Sequence, residues 1–132
     1  MSYAIVWEFV VPRQKMAEFE ATYGADGAWT HLFRQAFGFI EVKLLRCEDQ
    51  AGRYLTIDRW TSATAFEDFQ RLLAAEYQAL DARLEGLASM EVRVGAFEEW
   101  PFTQYGSATI VNTVELLTVR SAVPSVAGSA AT

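Results

Sequence analysis

Residues 53–69, RYLTIDRWTSATAFEDF, carry the change of rhythm that decides the fold. Arg53–Trp60 is rich in β-branched and aromatic residues and reads as a strand. Thr61-Ser62 then offers a helix N-cap. Beyond it Ala65, Phe66, Phe69, Leu72 and Leu73 recur at helical spacing. The helix is expected to continue through Tyr77, Leu80 and Leu84, with a break near Glu76–Gln78, and to end at Gly86. On the strand, a period of two puts Thr56, Asp58 and Trp60 on one face.

Working outward, residues 48–52 (EDQAG) read as a hairpin loop and residues 39–47 (FIEVKLLRC) as the strand before it. Residues 3–11 (YAIVWEFVV) form a first strand with both faces mostly apolar, so it is covered on both sides. A helix is expected over 13–23, with Met16, Phe19 and Tyr23 on its apolar stripe, stopping at Gly24. A second short helix is expected over 28–37, with Trp29, Leu32, Phe33 and Phe37 as its stripe and Gly38 closing it. Residues 89–97 (SMEVRVGAF) make a fourth strand.

This order predicts an α+β, ferredoxin-like βαββαβ domain over residues 1–100. Its four-stranded antiparallel sheet has order 4-1-3-2, with helices on one face. The other sheet face also carries apolar residues, so a homodimer through that face is expected, because monomers seldom expose so large an apolar surface. Residues 101–132 form a C-terminal extension, with an extra strand expected at 109–120 and a mobile tail after it.

Composition narrows the function classes. The net charge is −6, which gives no basic face for nucleic acid or an anionic membrane surface. One cysteine, Cys47, and one histidine, His31, cannot supply a Cys/His zinc site or an internal disulfide framework, and no metal is expected. The chain enters its first strand directly after Met1-Ser2, with no signal-like apolar segment and no apolar run long enough to cross a membrane, so a soluble cytoplasmic protein is expected. Aromatics make up 14% of residues, more than a minimal core needs, which points to an aromatic-lined cavity or a large apolar interface.

The segments YAIVWEF, FEATYGADGAWTHLFRQAFGFIEVKLLR, GRYLTIDRWTSATAFEDF and VRVGAF together give a pattern that resembles the antibiotic-biosynthesis monooxygenase-like family of dimeric α/β-barrel proteins. The resemblance covers nearly all of residues 3–99, and Tyr54–Phe69 carries it most specifically. It implies a ferredoxin-like protomer, a dimer, and an aromatic cleft between helices and sheet. For some members it also implies O₂-dependent oxidation of polycyclic aromatics with no cofactor, the substrate supplying the electrons. Relatives on this scaffold degrade haem, but residues 62–85 hold no His and the first strand shows Trp7-Glu8-Phe9 where those relatives use an Asn.

Candidate site residues follow, each with a competing reading. Trp60 matches the family's Trp at the end of the third strand, where it borders substrate in some members; otherwise it packs strand to helix against Phe66. Four positions earlier stands Thr56, a weaker orienting group than an amide. Asp58 is a buried functional acid or, the reading favoured here, a rim residue paired with an Arg. His31 is a general base, an axial haem ligand, or an exposed side chain. Tyr77 could reach a ligand with its phenol or only pack the core. Arg59 and Arg93 are strand charges, either paired with Glu8 and Glu91 or orienting an anion at the pocket mouth. Trp7 and Trp29 are expected to line the same cavity, and Cys47 to be an inert strand-end residue.

Two functions stand open. One is a cofactor-independent monooxygenase acting on an aromatic polyketide-like molecule, with Trp60, Tyr77, His31 and Asp58 as catalytic candidates. The other is a non-catalytic small-molecule-binding or structural dimer of the same fold. A cavity near Trp60 with convergent polar groups favours the enzyme; an interface filled by its own side chains favours the alternative.

Overall fold

The computed structural model describes residues 2–100. The expectations for 101–132 fall outside the described residues. The elements are β1 (Tyr3–Val10), α1 (Met16–Tyr23), α2 (Ala28–Phe33), β2 (Phe39–Arg46), β3 (Arg53–Trp60), α3 (Ala63–Leu72), α4 (Ala74–Arg83) and β4 (Met90–Glu98). The sheet is antiparallel with order β2-β3-β1-β4, the expected 4-1-3-2 read from the other edge. No helix among the described residues is long and apolar enough to cross a membrane.

Local chemistry explains most boundaries. Ser62 caps α3 through its Oγ, which accepts from the Ala65 N–H at 3.0 Å. Gly38 takes φ +94, and a Cβ there would meet the Ala65 Cβ at 2.6 Å. Position 38 therefore needs glycine both for its conformation and for the approach of α3. A Cβ at Gly27 would lie 2.0 Å from the Thr22 carbonyl oxygen, so the chain can double back between α1 and α2 only with glycine there. That turn sets Tyr23 and Trp29 with ring centroids 6.3 Å apart.

Some boundaries differ from expectation. Arg13–Lys15 is a 3₁₀ turn rather than the first turn of an α-helix. The α2 helix ends at Phe33, because the N–H groups of Gln35 and Ala36 bond three residues back, to Leu32 and Phe33. Phe37 consequently points to solvent instead of completing the apolar stripe. The break in the long helix falls at Leu73, not at 76–78; Leu73 leaves helical geometry at φ −116, ψ 31 while its side chain stays against the core.

Strand alternation divides the sheet into two faces. Facing the helices are Ile5, Trp7 and Phe9 of β1, and Tyr54, Thr56, Asp58 and Trp60 of β3. The core beneath the helices forms two clusters. One gathers Trp60, Phe33, Phe69, Ile5 and Val42. The other gathers Phe9, Phe19, Tyr54, Val11 and Leu87. Trp60 is fully buried, with Phe33, Phe39 and Phe66 each at 5.4 Å and Phe69 at 5.2 Å between ring centroids. The other sheet face carries charge networks around apolar residues. Arg59 donates to Glu41 (2.6 Å) and Glu99 (2.9 Å), and Arg53 donates to Glu8 (2.5 Å).

Removing the Trp60 ring leaves a void among four aromatic neighbours. Trp60→Ala is expected to lower unfolding free energy by about 3–5 kcal/mol in urea titrations. A loss under about 1 kcal/mol would show that this cluster does not hold the fold.

Candidate functional site

The two core clusters do not meet completely. Between Tyr54 in one and Trp60 in the other, β3 presents Thr56 and Asp58, and a cavity of about 40 Å³ opens above them. Trp7 and Phe9 of β1, Val42 of β2, and Trp29 and Phe33 of α2 supply its walls. Tyr23 of α1, Tyr77 and Asp81 of α4, and Glu91 of β4 complete the lining. Tyr23, Asp81 and Glu91 also line an outer depression of about 410 Å³, so these three side chains form the passage between inner cavity and surface. The inner space holds about three waters, on the scale of ~10–15 Å³ for each. A larger ligand must therefore leave part of itself in the outer depression.

Asp58 is the unusual group. Its strand neighbours are Ile5 on β1 and Val42 on β2, both buried and apolar. Among the described residues it has no hydrogen-bond donor and no cation within ion-pair range. Burial alone pushes its carboxyl from the ordinary value of 3.8 up to about 7. The favoured expectation of an Asp58–Arg pair is therefore corrected: the arginines of its strand are engaged on the opposite face of the sheet.

The phenols around it are held neutral. Burial raises Tyr77, and the charges of Asp81, Asp58 and Glu91 raise it further, while Arg93 acts weakly the other way. Tyr23 is pushed up to about 12, first by burial; the Trp29 indole N–H opposes the shift, and Glu91 and Asp81 reinforce it. That indole N–H is buried and forms no well-shaped hydrogen bond, so it is a donor held at the cavity wall. Ring contacts run from Trp7 to Phe9 (6.4 Å), Phe9 to Tyr23 (4.9 Å) and Trp29 to Tyr77 (5.2 Å), so the aromatic residues of the lining pack against one another. Glu91 is raised by burial and by the nearby charge of Asp81.

The structure brings together Trp7, Trp29, Thr56, Asp58 and Tyr77 of the residues singled out in the sequence. It does not bring Trp60 or Phe66 to the cavity; they pack against each other in the core. His31 lies exposed on α2, outside the lining. Arg59 is on the far face of the sheet, and its partners are Glu41 and Glu99 rather than Glu8 or Glu91. Arg93 is exposed on β4 without an ion pair among the described residues, close enough for Tyr77 to feel its charge. The sequence reading missed Tyr23 and Asp81 as lining residues and took Glu91 only for an Arg partner. Asp81 had a usable signal, since it stands four residues after Tyr77 and so shares its helix face. Among the described residues no three His, Cys, Asp or Glu side chains converge as a metal site requires.

A ferredoxin-like sheet with an acid at the base of an aromatic cavity under its helices defines the class. The family model described as antibiotic biosynthesis monooxygenase matches residues 2–83, and the chain belongs to that family. No curated protein sequence matches it significantly. Among solved structures, a mutant of SnoaB, a cofactor-independent oxygenase from Streptomyces nogalater, is 27% identical with a TM-score of 0.58, covering 74% of this chain and 92% of that one. A second SnoaB structure is 22% identical (TM-score 0.53; 75% and 93% covered). A conserved protein from Methanosarcina mazei shares the fold at 12% identity (TM-score 0.57; 76% and 94% covered).

The Asp58 shift has a defined sign in stability. The folded state binds the Asp58 proton more tightly than the unfolded chain does, so no ionisation penalty is present below about pH 4. As pH rises from about 4 to 7 the unfolded state deprotonates first and stability falls, and above about 7 the full penalty is present. Relative to wild type, Asp58→Asn is expected to gain stability steadily over that window, on the order of a few kcal/mol, in denaturant titrations at stepped pH. A wild-type-to-variant difference that stays flat with pH would show that Asp58 is solvated or paired.

Proposed function

We propose that this protein is a cofactor-independent monooxygenase that oxidises an electron-rich aromatic, polyketide-like phenol in the cavity above Thr56 and Asp58. The observation that carries this reading is the unpaired Asp58 carboxyl at the base of an aromatic cavity. A base for phenol or benzylic protons works best with a pKa near the operating pH, and Asp58 falls there. Family membership and the likeness to SnoaB supply the reaction class.

In this scheme the substrate ring enters past Tyr23 with its edge toward Asp58. Asp58 accepts a proton, leaving a carbanion conjugated with the ring. Trp7, Phe9, Trp29 and Phe33 keep water away from that anion. The Trp29 N–H and the neutral Tyr77 phenol are the donors available to a developing oxyanion. The anion delivers electrons to O₂. The ring CH₂ becomes C=O, one oxygen atom entering the product and the other leaving as water with both hydrogens, so the substrate supplies all the electrons.

The second reading, a binding or structural dimer without catalysis, draws on Thr56 in place of an amide and on the small inner cavity. Both readings include a homodimer through the free sheet face. Leu45, Val92 and Phe97 stand there about half exposed, amid the Arg59 and Arg53 networks. Light scattering at micromolar concentration is expected to give a mass near twice the 14.8 kDa chain; the mass of one chain would refute the dimer.

The enzymatic reading is tested by incubating the purified protein with anthrone-type phenols under air, following O₂ uptake and quinone absorbance. Turnover is expected to rise with pH through about 7, as Asp58 ionises. Asp58→Asn is expected to lower kcat by about 10²–10⁴-fold, the usual contribution of a general base. Absence of turnover across the panel, or an Asp58→Asn variant as fast as wild type, would overturn it.

A further inference from the structure

The mouth of the cavity carries charge of one sign. Asp81 and Glu91 both line the passage, from α4 and β4, close enough that the Asp81 charge bears on Glu91. Glu85 adds a third carboxylate to the outer depression. Among the described residues none of the three, nor Asp58 beneath them, has a basic side chain within ion-pair distance. Two positive groups among the described residues lie nearby, and one of them, Lys15, is bonded to a residue that lines the outer depression. Lys15 donates to the Gly86 carbonyl oxygen at 2.8 Å, and Arg93 is felt by Tyr77 but is not among the residues of either lining. Asp81, Glu85 and Glu91 at the mouth, with Asp58 beneath, outnumber these two cations, and an excess of like charge at a concave, partly apolar surface focuses an attractive field for cations.

Two further features define what the field would attract. The carboxylates do not converge as a metal site requires, so a compact divalent ion has no set of ligands. Aromatic side chains stand along the way, Tyr23 at the mouth and Tyr77 and Trp29 within, and aromatic faces favour organic ammonium groups. Size adds an orientation. The inner cavity takes the edge of one ring, and the remainder of the ligand must project between Asp81 and Glu91 into the outer depression.

We propose that this site selects an aromatic ligand bearing a protonated amine, with the edge of its ring in the inner cavity and the ammonium group between Asp81 and Glu91. This rests on the cavity being the substrate site. It narrows the substrate from aromatic phenols in general to aminated ones, and it disfavours carboxylated ones.

Three probes of matched ring, 1-naphthylmethylamine, 1-naphthylmethanol and 1-naphthoate, separate the charges. Isothermal titration of the full-length chain near neutral pH is expected to give about tenfold tighter binding of the amine than of the alcohol, with the naphthoate weakest. Asp81→Asn with Glu91→Gln is expected to shrink the amine preference to about twofold, while Glu48→Gln with Asp49→Asn, which removes equal charge from the exposed 48–52 hairpin, leaves it intact. Added salt should reduce the preference in the wild-type chain, a readout that needs no variant. Alcohol binding as tightly as amine, tighter naphthoate binding, a preference untouched by the Asp81/Glu91 change, or no binding of the amine would each overturn the proposal. O₂ uptake with neutral phenols is a separate measurement, so loss of the charge preference and loss of the oxygenase reading are told apart.

Discussion

A strand can offer only alternate residues to one face, and on β3 the helix-facing series runs Tyr54, Thr56, Asp58, Trp60. Its two ends are large and apolar, and each anchors its own cluster of rings. Its middle is short and polar and cannot fill the space that an apolar residue would take. The core therefore parts at the middle of β3, and the gap lies between Trp7, Trp29 and Tyr77. The cavity, the stranded carboxyl and the aromatic enclosure all follow from this single alternation.

The same alternation keeps the charges of β3 apart. Arg53 and Arg59 have the opposite parity, so both emerge on the free sheet face and bind Glu8, Glu41 and Glu99 there. Asp58 is thus separated by the thickness of the sheet from the cations nearest it in sequence. A half-buried carboxyl without a partner, as Asp58 is, avoids much of its desolvation cost by holding its proton to higher pH. In Asp58 that leaves a group able to change charge near neutrality.

Much of the architecture was legible in the sequence. The period-two runs, the Ser62 cap and the glycines at 38 and 86 mark the elements, and the order of strands and helices leaves few topologies. Helix ends were less so, because Phe33 and Leu73 are set by how the chain turns back onto the core rather than by a proline or glycine. In the site, Trp7, Thr56 and Asp58 follow from strand parity, and the same parity was sufficient to exclude Arg59. Tyr23, Asp81 and Glu91 lie on α1, α4 and β4, segments far apart in the chain. Only tertiary packing joins them, and no local pattern announces that. The assignment of Asp58 to a pair with Arg failed for a related reason: sequence shows which charges are present, but the pairing depends on which face of the sheet each one reaches.

Asp58 sits unpaired at the base of the aromatic-walled cavity, and its own titration tests this most directly. Carboxyl carbon shifts of ¹³C-labelled Asp, assigned by loss of one resonance in Asp58→Asn, would be followed across the pH range. The account predicts a midpoint near 7 for Asp58. A midpoint near the ordinary 3.8 would contradict it, showing that the carboxyl is solvated or paired and that the cavity holds no proton acceptor poised near neutrality.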